Sequence, residues 1–346
     1  MLLRIQQQMI TEKEIVAWMK KNEITPFRAK QVMHAVFKEG KINFFEMRNL
    51  PGAVIEKLTK NINILCLSVE KIIKSSDSRT EKILFRLQDN NKIETVLMRF
   101  KDGRNSVCVS SQCGCRLGCK FCATGAFGFN RDLTAEEIAD QALFCNSILW
   151  KEKKRISNII YMGMGEPFLN YDNVLASLKL LNDKKLLNIG ARSITISTSG
   201  ICDGIEKLAT EKLQVNLAIS LHASNQSIRE KIMPVAKIFP LNALMSAVKK
   251  YIAKTNRRVT YEYIMLNGIN DRINHAKELT TLLKGQLCHI NLIQYNETGL
   301  LGFNGSAKNN IKTFAEILRK SGLPVTIRVS MGQDINAACG QLANKV

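Results

Sequence analysis

The chain has no run approaching the roughly 18 apolar residues that a membrane-spanning helix needs, although 45% of its 346 residues are hydrophobic. Its first residues, Met1-Leu2-Leu3-Arg4 followed by glutamines, lack the apolar segment of a secretory leader. These absences argue against export or membrane insertion and lead us to expect a cytoplasmic protein. Ten cysteines are too few to staple a chain of this length as a disulfide scaffold. There is no internal repeat and no low-complexity tract. Acidic residues are scarce: 30 Asp and Glu stand against 50 Lys and Arg, a formal charge of +20. What is left is a globular protein of about two domains, long enough for a sizeable core.

The charge excess is larger than solubility requires. Lys151, Lys153, Lys154 and Arg155 form one basic run, and Lys249, Lys250, Arg257 and Arg258 another. Either alone is ordinarily a solvated helix end. Together with a pI near 9.6 they favour a polyanionic partner, nucleic acid above all.

Half of the cysteines fall between Cys108 and Cys122, and three lie within eight residues, Cys115-Arg-Leu-Gly-Cys119-Lys-Phe-Cys122. No fourth cysteine follows at matching spacing. A structural zinc site wants four ligands in a closed tetrahedron, whereas an iron–sulfur cluster on three thiolates leaves one iron open to a small molecule. A zinc clip or ordinary loop thiols is the competing reading. The C-x3-C-x2-C spacing resembles the radical S-adenosylmethionine (SAM) superfamily. There the open iron grips the amino acid end of SAM, and one electron splits SAM into methionine and a 5′-deoxyadenosyl radical.

The first sixty residues read as helical. Thr11-Glu12-Lys13-Glu14 forms a capping box, Pro26 opens a second helix that stops near Gly40, and a third begins around Leu50-Pro51. Such a basic helical unit suits either RNA contact or plain packing. The period then changes to alternation at Lys82–Leu87 and Ile93–Phe100, with turn residues Asp89-Asn90-Asn91 between them. From Val107 onward, strand-like runs at 107–110, 156–162, 193–197, 215–221, 259–266, 289–295 and 325–329 alternate with helical patterns. One of these opens on the capping box Thr134-Ala-Glu-Glu137. Repeated βα units imply a parallel sheet, and too few strands are present to close an eight-stranded barrel. The expected fold is therefore α/β: a partial (βα)6 barrel over 101–333, a helical domain over 1–62, a β-hairpin linker over 63–100, and a C-terminal segment over 334–346.

Ligands gather at the carboxyl ends of parallel strands, and polar motifs recur there. Gly163-Met164-Gly165-Glu166-Pro167 follows the second strand, Ser197-Thr-Ser-Gly200 ends the third, Ser220-Leu221-His222 ends the fourth and Asn296 the sixth. Glycines admit close backbone approach and Glu166 can accept from an ammonium group. Cys108 closes the first strand and Cys339 lies beyond the last, so a barrel brings both to one mouth. Cys66, Cys145, Cys202 and Cys288 read as buried structural thiols.

In order along the chain, Cys108-Val-Ser-Ser-Gln-Cys-Gly-Cys115, the triplet, Met162-Gly-Met-Gly-Glu-Pro167, Ser197-Thr-Ser-Gly200, Ser220-Leu-His222 and Ala337-Ala-Cys-Gly-Gln-Leu342 together resemble the RlmN/Cfr family of RNA methyltransferases. The resemblance covers nearly the whole chain. It implies a [4Fe-4S] cluster on Cys115, Cys119 and Cys122, and a SAM site lined by Gly165, Glu166, Ser197, Ser220, Leu221, His222 and Asn296. It also implies two SAM molecules per turnover. Cys339 would take a methyl group from the first. The radical from the second would turn that methyl into a carbon radical that adds to adenine C2. Cys108 would then attack the Cys339 sulfur and release product, and Glu94 would take the C2 proton. The implied partners are 23S ribosomal RNA at adenosine 2503, naked or in early assembly, transfer RNA at adenosine 37, and an electron donor such as flavodoxin or ferredoxin. A monomer is expected. Within the family, C8 methylation of the same adenosine is the rival chemistry, and Pro167 after Glu166 favours C2. A noncatalytic iron–sulfur or zinc RNA-binding protein is the rival of another class; it leaves Cys108, Cys339 and Glu94 without purpose. Ala236 and Asn336 depart from the family pattern, where asparagine and aspartate are common, and Cys113 is an extra thiol without an assigned role.

Overall fold

The computed structural model describes residues 12–297 and 302–343. The N-terminal unit holds α1 (Glu12–Lys21), α2 (Phe27–Phe37) and α3 (Gly52–Asn61). Thr11, which would cap α1, lies outside the described residues. Ile15 and Met19, four apart, form the buried stripe of α1, while Glu14 in the first turn and Lys20 and Lys21 in the last complement the helix dipole. Pro26 precedes α2, whose Ala29, Val32, Met33 and Val36 share one buried face. The chain then turns through Gly40 with φ +59, and a Cβ there would meet Trp150 Cβ at 2.7 Å. Glycine is required twice, for the left-handed turn and for the close approach of the helical unit to the body. Lys38 Nζ ties the two parts further, donating to the carbonyls of Lys184 and Leu186 at 2.9 Å each.

Next come β1 (Ser68–Lys74), β2 (Thr80–Arg86), β3 (Lys92–Arg99) and β4 (Asn105–Cys108). The hairpin read from the sequence is thus part of a three-strand meander. The additional strand, β1, is almost wholly exposed, so it lacks the apolar alternation that marks a strand in sequence. Nor does the sheet pause after the hairpin: β3 pairs antiparallel with β4, Val96 opposite Cys108. The cluster motif then rides on a small two-stranded ribbon of β5 (Gln112–Gly114) and β6 (Phe129–Asp132), with the short α4 (Ala123–Ala126) between them. This ribbon was also invisible to periodicity, its strands being three and four residues long.

The rest alternates: α5 (Ala135–Lys151), β7 (Asn158–Tyr161), α6 (Tyr171–Asn182), β8 (Ile194–Thr198), α7 (Cys202–Leu208), β9 (Asn216–Ser220), α8 (Gln226–Ile232), α9 (Leu241–Thr255), β10 (Val259–Met265), α10 (Ile273–Leu283), β11 (Cys288–Gln294), α11 (Lys308–Lys320) and β12 (Val325–Arg328). The Thr134 capping box at α5 forms as its sequence predicts, with Thr134 Oγ1 accepting from Glu137 N and Glu137 Oε2 from Thr134 N. From β4 to β12 all pairings are parallel, in the order β4-β7-β8-β9-β10-β11-β12. Six βα units thus run into a seventh parallel strand, and the sheet stays open because β4 and β12 do not pair. The fold is a partial α/β barrel with an N-terminal helical region. Among the described residues no helix is long and apolar enough to cross a membrane.

Candidate active site

Two adjoining cavities lie inside the partial barrel. The smaller, about 140 Å³, is walled on one side by Cys115, Cys119 and Cys122. Strand ends supply the opposite side, with Gly163, Gly165, Glu166, Ser197, Ser220 and His222. The larger, about 550 Å³, fills the barrel interior and holds Cys108. Cys122 and Cys339 line both.

The cluster loop is set by its ribbon. Cys115 N–H donates to Gly128 O at 2.7 Å, and Gly114, at φ +84, could not carry a Cβ because it would come within 2.1 Å of that carbonyl. Burial raises the thiols of Cys115, to about 12, and of Cys119, and the neighbouring thiols and Glu166 push the same way. These groups line one space; Arg229 opposes the rise at Cys119, and Arg328 lines the same cavity. Among the described residues, no three His, Cys, Asp or Glu side chains converge where a single metal ion could sit. The three thiols line one cavity, and a cubane takes its thiolates on separate irons. The donor set fits a cluster better than a zinc clip.

Gly163 and Gly165 contribute in a different way from the one their motif suggests. A Cβ on Gly163 would meet Val109 O and Ser110 Oγ at 2.7 Å, and one on Gly165 (φ +101) would meet Gln112 Cβ at 2.5 Å. Their bareness lets the second strand end pack on the chain leading to the cluster ribbon, while their backbone lines the cavity. Glu166 is buried; its Oε2 accepts from Ser199 N–H at 2.7 Å and its Oε1 from Phe168 N–H at 3.1 Å. Burial raises its pKa, opposed by those hydrogen bonds, and a cation brought beside it would favour its charged form.

His222 sits in the left-handed region at φ +56. Its Nδ1 accepts from Ile264 N–H at 3.1 Å, which leaves Nε2 with the proton. Burial and then the charge of Arg229 press its pKa down to about 3, so the ring is neutral. It meets Phe121 of the cluster loop edge-on, 4.8 Å between centroids. Leu221 is buried beside it without reaching either cavity. Asn296 is also outside both: its Nδ2 donates to Cys339 O at 3.2 Å and its Oδ1 accepts from Gln333 at 2.6 Å. It holds the Cys339 backbone in place.

Cys108 and Cys339 share the larger cavity. Burial drives the Cys108 thiol up to about 12, with the Cys339 charge adding to this, and burial raises Cys339 as well. The opposing influence is Arg328 at the end of β12, which lowers both. Arg328 Nη1 lies 3.4 Å from Glu262 Oε2, and Glu262 Oε1 accepts from Asn291 Nδ2 at 2.9 Å. Both Arg328 and Glu262 line both cavities. Neither was read from the sequence, although both sit in the strand-like runs and a charged residue inside such a run was an available signal. Buried Arg229 was missed too. From α8 it donates to the carbonyls of Ser199, Leu221 and Phe239 and so clamps two strand ends. Its helix reads as an ordinary charged one.

Glu94 faces the same side of β3 as Val96 and Met98, which line the larger cavity, but does not itself reach it. Its Oε1 pairs with buried Lys82 Nζ at 2.9 Å and its Oε2 accepts from Ala343 N–H at 2.8 Å. The C-terminal segment lies across it. Gly340 O accepts from Ala123 N–H at 2.7 Å, Leu342 O from Thr124 Oγ1 at 2.7 Å, and Asp334 Oδ2 from Ser76 N–H at 2.7 Å. Asn336 turns at φ +51, a conformation asparagine tolerates well. Cys113 is buried, its Sγ donating to Lys92 O at 3.3 Å, away from both cavities.

This architecture is that of a radical SAM enzyme, and residues 109–279 match the radical SAM superfamily model. Residues 8–64 match the N-terminal domain of ribosomal RNA large subunit methyltransferases. A probable dual-specificity RNA methyltransferase RlmN of Clostridium tetani is 47% identical over 96% of this chain and 94% of its own. One from Carboxydothermus hydrogenoformans is 42% identical over 97% of each. The crystal structure of a radical SAM methyltransferase from Sphaerobacter thermophilus superposes with a TM-score of 0.91 at 39% identity, covering 97% of this chain and 98% of that one. The chain belongs to the RlmN family; it is a radical SAM RNA methyltransferase.

Proposed function

We propose that the protein methylates C2 of adenosine in two RNAs, adenosine 2503 of 23S ribosomal RNA and adenosine 37 of transfer RNA, through a methyl group carried on Cys339. The observation that carries this reading is that Cys339 lines both cavities while Cys108 lines the larger one with it. One thiol can thus meet a methyl donor on one side and a base on the other, with a second thiol at hand to release the product. When bound, the [4Fe-4S] cluster on Cys115, Cys119 and Cys122 and two SAM molecules supply a methyl group and a one-electron hydrogen abstraction. C2 of adenine is an aromatic C–H carbon with no nucleophilic character, which is why direct attack on a cationic methyl fails and a radical route is needed.

The chain's own residues hold and exclude. Glu166 and the hydroxyls of Ser197 and Ser220 offer hydrogen bonds to the amino acid and ribose ends of SAM. Neutral His222 wedges against Phe121 and keeps the cluster loop seated. Arg328 offsets the negative charge that Cys339 acquires on losing its proton. Glu94 is the base for the C2 proton. Because Ala343 covers it, the C-terminal segment has to shift by a residue or two at its end when RNA enters. The target base has to leave its stack to reach the larger cavity. Pro167, at the start of the short helical turn 167–170, favours C2 over C8.

Nucleoside mass spectrometry of ribosomal and transfer RNA from cells with and without the gene tests the assignment. 2-Methyladenosine lost from both RNAs supports it; 8-methyladenosine in its place contradicts it.

A further inference from the structure

Arg229 is fully buried, yet its guanidinium meets only neutral acceptors. It donates to the carbonyls of Ser199 at 2.5 Å, Leu221 at 3.3 Å and Phe239 at 3.4 Å. Among the described residues no carboxylate pairs with it, and the ionisable groups that act on it are the thiols of Cys119 and Cys202. Arg328, the other guanidinium at the small cavity, differs in having Glu262 at 3.4 Å. Burying a cation without a counter-charge is costly. A clamp on backbone carbonyls needs donors but no charge, and an amide side chain supplies those.

The surroundings of Arg229 show where its charge acts. Ser199 lines the small cavity, as do Ser220 and His222 on either side of Leu221. Lys120 N–H, in the cluster loop, donates to Ile232 O at 2.9 Å, which sets the end of α8 against that loop. The charge of Arg229 opposes the rise of the Cys119 thiol and helps to press His222 down. Arg229 itself lines neither cavity. It stands behind the wall.

We propose that Arg229 is a fixed counter-charge for the iron–sulfur cluster, set behind the Cys119 wall to favour the cluster's reduced state. This rests on the reading that Cys115, Cys119 and Cys122 hold a [4Fe-4S] cluster. In the step concerned, one electron leaves an external one-electron reductant and one enters the cluster; the donor is oxidised, the cluster is reduced, and no atom moves. An oxidised [4Fe-4S] core on three thiolates is already anionic, and reduction adds a further negative charge. A cation close by therefore stabilises the reduced form more than the oxidised one. Burial keeps salt and solvent from screening that attraction. On the cavity side Glu166 acts in the opposite sense, pushing Cys115 and Cys119 up, so Arg229 offsets it.

The test is the midpoint potential of the anaerobically reconstituted holoenzyme, titrated with titanium(III) citrate and followed by electron paramagnetic resonance of the reduced cluster. Arg229→Gln keeps hydrogen-bond donors and removes the charge. Its potential should fall by at least about 59 mV, a tenfold loss in the one-electron reduction equilibrium. Arg229→Lys keeps the charge and loses the planar fork, so its potential should stay much nearer wild type although both variants give up backbone contacts. A third variant leaves Arg229 in place. Cys202, at the start of α7, interacts with Arg229, and Cys202→Asp sets a carboxylate there. Its potential should be lower than that of Cys202→Ser, a comparison that holds even where the Arg229 variants do not fold. A wild-type potential in Arg229→Gln overturns the proposal. So do equal shifts in the Gln and Lys variants, which would make Arg229 a clamp and nothing more. Should neither fold, equal potentials in Cys202→Asp and Cys202→Ser overturn it. Wild-type protein that takes up no iron on reconstitution overturns the cluster reading instead, a failure visible before any potential is measured.

Discussion

The two cavities are built on different plans. The small one is walled mainly by one short loop and by consecutive ends of a parallel sheet, with only Cys339 and Gly340 reaching in from the C-terminal segment. The large one brings together β3, β4, β12 and the segment from Met331 to Leu342, more than 200 residues apart in sequence. In the first, regular secondary structure does the positioning. In the second, buried polar contacts do it: Lys82 to Glu94, Glu94 to Ala343 N–H, Asn296 to Cys339 O. Damage to the first should remove a cofactor, and damage to the second should loosen a fit.

The largest effect is expected in the first wall. Cys119→Ala removes one of three thiolates, and the protein should lose its iron and all methylation, read by iron analysis and by methyl incorporation into RNA. A variant that keeps full iron content would break the distinction.

Next comes the second wall. Lys82→Met leaves buried Glu94 without its cation, which should cost about 3 kcal/mol of stability, seen as a lower denaturant midpoint. Iron content should be retained. Equal stability to wild type would mean that Lys82 does not hold this wall together.

A third, smaller effect concerns pH. The folded pKa of His222 lies near 3, below its ordinary 6.5. The unfolded chain takes up that proton first, so the neutral ring's contribution is present above about pH 6.5 and is lost as pH falls toward 3. Asp140 works in the opposite sense: burial raises it to about 7 from 3.8, so the folded protein gains as pH falls through that window. The diagnostic is therefore a difference. His222→Asn, which tolerates the left-handed backbone, should be less stable than wild type at pH 7, and the gap should narrow as pH drops. A gap independent of pH would show that the ring is not held neutral.

The smallest change should come far from both walls. Thr134→Ala removes the cap of α5 and should cost about 1 kcal/mol with methylation unaffected. A large loss of activity would tie α5 to the site.

The same division governs what the sequence reveals. The cluster triplet, Glu166, Ser197, Ser220 and His222 are legible because strand ends recur at regular intervals along the chain. The parallel strands were legible because burial on both faces makes them apolar runs. The strand β1 and the ribbon β5–β6 were not: the first is exposed and the second too short for a period to register. Arg328 and Glu262 were hidden for another reason. A charge inside an apolar strand shows its purpose only when the barrel turns both toward the same thiols. That Glu94 is covered by Ala343 depends on a contact across 249 positions, which no local pattern encodes.

The central claim is that Cys339 and Cys108 act in sequence within one cavity, and denaturing gels of reconstituted enzyme incubated anaerobically with RNA, SAM and a one-electron reductant such as dithionite test it most directly. If Cys339 carries the transferred carbon, the covalent link to RNA forms without Cys108 but cannot resolve without it. Cys108→Ala should therefore accumulate a slow-migrating RNA–protein species. Cys339→Ala should give neither that species nor methylated adenosine. Normal turnover by Cys108→Ala with no trapped species would contradict the two-thiol account.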